Sequence, residues 1–234
     1  MLGFFRPKPP QTLHAAEVKF LSSGALKSPM ELRKKIPIVA IDDQVFLPES
    51  NLKNSGFLIE TLADIQRIAD VEKYQVILCD VNGVGSALSV ATQGAYVIEE
   101  IKSMYPDKVV IAYTAGSASS KLVSRARTAA GLYIKKDASV EEWRDLLDNV
   151  IKSLCNPIEA WKQTRIRLLG AGIELQDLMK LEQALLENLG KGKDSVRSAL
   201  NREVASVGAS SWKSEVGQFV VSKAFDLAFE FIVK

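Results

Sequence analysis

"YQVILCDVNGVG", residues 74–85, runs from an apolar stretch into Asp80 and then into Gly83-Val84-Gly85. Hydrophobicity that is continuous rather than alternating marks a strand buried on both faces. The same texture recurs in "IPIVAI" (36–41), "GFLIET" (56–61), "KVVIAY" (108–113) and "GLYIK" (131–135), giving five candidate strands. Amphipathic patterns lie between or after them: "LADIQRIADVEK" (62–73), "GAYVIEEIKSMY" (94–105), "SSKLVSRARTAA" (119–130) and "SVEEWRDLLDNVIKSL" (139–154). Buried strands alternating with helices predict a doubly wound α/β domain with a parallel sheet over residues 35–154.

Residues 1–34 are punctuated by Pro7, Pro9, Pro10, Gly24 and Pro29, and are expected to form an arm with one short helix around "LHAAEVKFL". After Asn156-Pro157 no strand pattern follows. "PIEAWKQTRIRLL", "ELQDLMKLEQALLENL", "DSVRSALNREVASV" and the closing "VGQFVVSKAFDLAFEFIVK" predict a small all-helical domain over 155–234, the last stretch as one amphipathic helix. A module this small is expected to lean on the first domain or on a second subunit.

The 234 residues carry 30 Lys+Arg against 28 Asp+Glu, so no bulk field points to a nucleic acid or an anionic membrane. The helical segment mixes both signs and shows no compact basic recognition helix, so DNA binding is not predicted. Cys79 and Cys155 give neither a disulfide framework nor zinc-ligand spacing. With no signal-peptide pattern and no charge-free span, a cytoplasmic chain without membrane spans is the expectation. His14 is the single histidine, which excludes a Ser-His-Asp triad, a multi-histidine metal site and a phosphohistidine relay in the helical domain.

In an open α/β sheet functional side chains gather at the carboxyl ends of the strands. Those ends carry Asp42-Asp43, Asp80, Thr114-Ala115 and Lys136, with Tyr133 three residues before the lysine. Three carboxylates on one edge repel one another unless a cation or the lysine neutralises them. An all-oxygen set of this kind suits Mg²⁺. Taken singly, each residue has a commonplace reading: the aspartates as turn or helix caps, Thr114 as a strand former, Lys135-Lys136 as a solvated pair and Tyr133 as core. Their joint placement carries the functional reading. Trp143, Trp161 and Trp212 have apolar neighbours at helical spacing and are assigned to packing, and Glu174, Asp177, Glu182 and Glu187 to solvated helix faces.

"IDD" at the first strand, "ILCD" at the third, "IAYTA" at the fourth and "YIKKDAS" at the fifth resemble, in order, the receiver domain of bacterial response regulators. That resemblance implies a flavodoxin-like sheet of order 2-1-3-4-5 and a two-component phosphorylation switch rather than an enzyme. Asp80 would be the phosphoacceptor, served by a histidine kinase or phosphotransfer protein. Asp42, Asp43, Asp80 and the backbone carbonyl of Asn82 would hold Mg²⁺. Lys136 and Thr114 would pair with phosphoryl oxygens, and Tyr133 would be the switch residue. A homodimer through the helical module or the face of strands four and five is a further expectation.

Three features depart from the family. "QVFLPESNLKNSG" is too short, and too broken by Pro48, for the usual first helix. The loop "VNGVGSALSVATQ" is long and lacks the customary Met-Pro. Asp137 stands where proline is common. The first two leave open a pseudo-receiver that acts as an unphosphorylated scaffold. A Mg²⁺-dependent phosphohydrolase using Asp80 as nucleophile is disfavoured, because Asn82 occupies the place of the second aspartate that chemistry uses.

Overall fold

The computed structural model describes residues 12–22, 24, 26–115 and 120–230. The proline-rich opening of the expected arm and the last four residues of the expected closing helix lie outside them. In chain order the elements are α1 (Leu13–Ser22), α2 (Pro29–Arg33), β1 (Ile38–Ile41), α3 (Glu49–Asn54), β2 (Ile59–Leu62), β3 (Val76–Asp80), α4 (Gln93–Met104), β4 (Val109–Thr114), α5 (Lys121–Ala130), β5 (Leu132–Lys135), α6 (Val140–Leu154), α7 (Pro157–Gly170), α8 (Leu175–Asn188), α9 (Lys193–Ser206), α10 (Lys213–Val221) and α11 (Lys223–Glu230). None of the described helices is long and apolar enough to cross a membrane.

The chain divides into two compact units, one spanning Ser28–Lys152 and the other combining the chain from Ser153 with the segment before Ser28. In the first, a five-stranded parallel sheet has the order β2-β1-β3-β4-β5. This is the doubly wound, flavodoxin-like arrangement. Every residue of β1 and β3 is buried, as an apolar run without alternation requires. On one face Val39, Ile41, Ile77, Cys79, Val110 and Ala112 meet Val97, Ile98 and Ile101 of α4 and Val123 and Ala126 of α5. On the other, Trp143 of α6 makes an edge contact with Tyr113 of β4 at 5.5 Å and with Phe46 at 5.2 Å. Ser139 and Glu142 start α6 with reciprocal side-chain-to-backbone bonds of 2.8 and 3.2 Å.

Two sequence expectations are corrected. The helix over "LADIQRIADVEK" is reduced to a 3₁₀ turn at Ile68–Val71. Asp64 and Asp70 are the reason. Asp64 Oδ1 accepts from the Ile65 and Gly85 amides, and Asp70 Oδ2 from those of Gln66 and Arg67, so local side-chain bonds take the amides a helix would use. The single closing helix is two, α10 and α11. Ser222 between them is extended, and its hydroxyl accepts from the Phe225 amide at 3.0 Å as a helix cap.

The 1–34 extension is not one piece. α2 opens the α/β unit, where Arg33 forks onto Asp148 of α6 at 2.7 and 2.5 Å. α1 belongs to the helical unit, burying Ala16 and Phe20 in a core with Trp161, Leu181, Leu185, Val196, Phe219 and Phe225. Asn156 caps α7 through the Ile158 amide at 2.9 Å, with Pro157 at the first helical position. All three tryptophans are core residues. Phe20→Ala is expected to cost the helical unit about 3–5 kcal/mol, the usual toll for truncating a buried phenylalanine. Hydrogen exchange checks it: amides of α7 and α8 lose protection while those of β1 and β3 keep theirs, and a uniform loss would contradict the assignment of α1 to the helical unit.

Candidate functional site

Because every strand is parallel, all the carboxyl ends fall on one edge of the sheet. Single backbone bonds carry the pairing just past each strand and so fix what stands there. The Asp42 amide donates to Leu62 O at 2.9 Å, the Val81 amide to Tyr113 O at 2.9 Å, and the Lys136 amide to Thr114 O at 3.1 Å. Asp42, Asp80, Thr114 and Lys136 thereby reach a common rim from four separate segments.

Lys136 Nζ sits between the acids, 2.9 Å from Asp42 Oδ1 and 2.7 Å from Asp80 Oδ2. Both carboxylates are buried, and the lysine side chain is 18% exposed. The Asn82 amide N–H donates to Asp80 Oδ1 at 3.1 Å, and Asn82 Nδ2 donates to Thr114 Oγ1 at 2.6 Å, so one residue ties the acid to the hydroxyl. Asp42 also accepts from the Gln44 amide on Oδ1 at 3.0 Å and from the Tyr113 hydroxyl on Oδ2 at 2.9 Å.

Burial pushes the Asp80 carboxyl above the usual aspartate range; Lys136 and the Asn82 amide pull it down without cancelling the shift, and Asp42 adds to it. Burial works against the Lys136 ammonium, but its bonds to Asp80 and Asp42 prevail and hold its pKa above the ordinary lysine value. The Tyr113 hydroxyl is raised strongly, by burial first and then by Asp42, so it stays a donor across the working range of pH.

Ligand oxygens of Asp42, Asp43 and Asp80 all lie within 4.8 Å of one another. Three carboxylates against one ammonium leave two negative charges at the rim, the formal charge a divalent cation would balance. Oxygen donors only, on two fixed strand ends, fit a hard cation such as Mg²⁺. Asp43 is the exposed member and accepts no hydrogen bond among the described residues. Gly83 stands directly against it at φ +86°; a Cβ there would occupy the space of the Asp43 carboxylate. Gly85 answers a different demand, since a Cβ would strike Val97 and its N–H is bonded to Asp64 Oδ1 at 2.6 Å.

The structure therefore brings together Asp42, Asp43, Asp80, Asn82, Thr114 and Lys136. Tyr133 stands apart from them, half-buried on β5 opposite Ala112, with the Arg127 guanidinium 4.7 Å from its ring centre. Register places Tyr133 and Thr114 on the same face of the sheet, and Tyr113 on the other. Tyr113, Gln44 and Asp64 were not among the candidate residues. Tyr113 had a signal, a polar-tipped aromatic one residue before a strand end on the acidic edge. The other two act through a backbone amide and a loop contact, which no spacing reveals.

No protein-family model matches the sequence, and no curated protein does. Solved structures do resemble the α/β unit. A CheY-like response regulator receiver domain from Methanospirillum hungatei is 18% identical, with 50% of this chain and 94% of that one covered at a TM-score of 0.42. The receiver domain of NtrX from Brucella abortus is 20% identical over 49% of this chain and 98% of that one, also at 0.42. A response regulator from Thermotoga maritima is 19% identical over 50% and 98%, at 0.41. The α/β unit is similar to receiver domains in fold.

The Asp80 shift has a thermodynamic consequence. A carboxyl raised in the native state contributes stability that is fully present below the ordinary aspartate pKa and is lost as pH rises through the raised value. Asp80→Asn removes that loss. Without divalent cations its Tm at pH 7 is expected to exceed the native chain's. The difference should shrink as pH falls into the acid range. Thermal melts at several pH values check this, and a lower Tm at pH 7 would contradict it.

Proposed function

We propose that the α/β unit is a phosphorylation-controlled switch with Asp80 as the phosphoacceptor. One observation carries this: a single ammonium, Lys136, is shared between Asp80 and Asp42 at a rim that retains two negative charges. A purely structural ion pair has no need of a third, exposed carboxylate pressed against a glycine.

In the proposed reaction an Asp80 oxygen attacks the phosphorus of a phosphohistidine on a partner kinase or phosphotransfer protein. The P–N bond breaks, the imidazole leaves, and an acyl phosphate forms on Asp80. Mg²⁺, held by Asp42, Asp43, Asp80 and the Asn82 carbonyl, would offset negative charge on the transferring group. Lys136, already 2.7 Å from Asp80, is placed to pair with a phosphoryl oxygen. Thr114 would turn its hydroxyl proton to another oxygen while its Oγ1 still accepts from the Asn82 side chain. About 1.5 to 2 negative charges added at Asp80, by analogy with other phosphorylated side chains, would thus pull on the end of β4. Tyr133 shares that face, and its contact with Arg127 would have to give before its ring could move. The unit is then a signalling element that accepts a phosphoryl group rather than an enzyme that turns over a substrate, with the helical unit as the output or dimerisation element.

A second reading, an unphosphorylated interaction scaffold, is favoured by one feature. α3 has only six residues where receiver domains commonly offer a long helix to the kinase. Labelling separates the two. With acetyl phosphate and Mg²⁺ the native chain is expected to gain one phosphoryl group by intact mass, as is Asp107→Asn. Asp80→Asn is expected to gain none, and chelation with EDTA to abolish labelling. Undiminished labelling of Asp80→Asn would end the proposal; a native chain that takes up no phosphoryl group would leave the scaffold.

A further inference from the structure

Position 83 is glycine because of Asp43: a Cβ there would fall on the Asp43 carboxylate, and the backbone stands at φ +86°. Glycine tolerates either sign of φ, so the peptide joining Asn82 to Gly83 is free to flip unless something holds it. In a trans peptide the N–H and the C=O point to opposite sides, and whatever holds the Gly83 N–H therefore also aims the Asn82 carbonyl. Gln93 Oε1 holds it, at 3.0 Å. The clamp is itself fixed by its surroundings. Gln93 opens α4 at φ +42° with its own N–H bonded to Ser89 O at 2.8 Å, and Gly94 beside it is pressed on the Asp80 carbonyl. Asn82 spends its amide N–H on Asp80 and its side-chain N–H on Thr114, while its carbonyl accepts no hydrogen bond among the described residues.

We infer that Gln93 is a positioning residue: by holding the Gly83 N–H it keeps the Asn82 carbonyl turned toward the acidic rim, where that carbonyl serves as the neutral ligand of the cation site. This rests on the pocket being a cation site, as proposed above. A clamp is needed because the rim by itself favours the opposite orientation. The two negative charges left over after Lys136 attract a backbone N–H and repel the oxygen end of a carbonyl dipole. A flipped peptide would turn its N–H onto the acids and its carbonyl away, and each cation that bound would first have to reverse it. Gln93 gives the N–H a competing acceptor and so removes that cost in advance. The long loop between β3 and α4 thereby has a task, since it brings the first side chain of the helix back onto the third residue past Asp80.

The test measures the Mg²⁺ dissociation constant of the full, unphosphorylated chain by tryptophan fluorescence, since Trp143 packs on the Tyr113 ring whose hydroxyl meets Asp42. Gln93→Leu, which removes the acceptor, should weaken Mg²⁺ binding about tenfold, the scale of one hydrogen bond. Gln93→Glu, whose carboxylate can accept from the same N–H, should bind at least as tightly as the native chain. Thr92→Ala removes the bond between the Ser89 and Thr92 hydroxyls and loosens the same turn without touching Gly83, so it should leave the constant unchanged. No weakening in Gln93→Leu, equal weakening in Thr92→Ala, or failure of Gln93→Glu to restore binding would overturn the inference and leave the switch standing. A native chain that binds no Mg²⁺ would remove the cation site, and the inference with it. Should Gln93→Leu fail to fold, a crystal structure of the native chain with Mg²⁺ decides. The Asn82 carbonyl should lie on the ion with the Gly83–Gln93 bond intact, and a carbonyl turned away from the ion would refute the role.

Discussion

The ammonium of Lys136, held between Asp42 and Asp80, is the contact on which the acidic edge of the sheet depends. Two carboxylates buried this deeply cannot both stay ionised without a cation, and Lys136 reaches both within hydrogen-bond distance. That cation is present only because β5 runs parallel to β4 and ends beside it, with the Lys136 amide bonded to Thr114 O. The places of β1, β3, β4 and β5 in the sheet thus bring this contact together. The need for a cation is met only in part, as the raised Asp80 carboxyl shows, and as does Asp43, which is paired with no cation among the described residues. A site left deliberately short of positive charge is one that a divalent cation can complete.

The loop that follows β3 is built around this edge. Its N–H groups are taken up by side chains from elsewhere: Gly83 by Gln93 Oε1 at 3.0 Å and Gly85 by Asp64 Oδ1 at 2.6 Å. Val84 is fully buried between them. Gln93, at φ +42°, is the one non-glycine residue of the described chain in the left-handed region, a conformation that costs of order 1 kcal/mol and persists only where the surroundings impose it. The next residue explains the crowding. A Cβ at Gly94 would collide with the carbonyl of Asp80, so α4 begins pressed against the end of the acid-bearing strand. Glycine at 83 lets the loop close on Asp43, and glycine at 94 lets the helix close on Asp80.

Much of this was legible in the sequence. Unbroken apolar runs gave the strands to within a few residues: β1 and β3 are buried throughout as such runs require, while the edge strands β2 and β5 are only partly buried, contrary to that reading. The helices α4 to α6 and α7 to α9 followed from periodicity. Where the reading failed, the cause was a short polar side chain competing for backbone amides: Asp64 and Asp70 against the expected helix after β2, and Ser222 against a continuous closing helix. The sequence leaves the N-terminal extension open for another reason. Whether Phe20 packs on the sheet or on the helices is a question of non-local contact, and no pattern within residues 1–34 answers it.

What the sequence determined by itself was which side chains stand at strand ends, since hydrophobic run lengths and their terminal residues are local properties of the chain. Only the tertiary structure decided how those ends are wired. It placed Lys136 between two acids 94 and 56 positions away, Asn82 across to Thr114, and the Tyr113 hydroxyl on the far oxygen of Asp42. Each of these bonds joins segments that come into register only when the parallel sheet closes, and hydrogen-bond direction depends on angles and ångströms that composition and spacing do not encode.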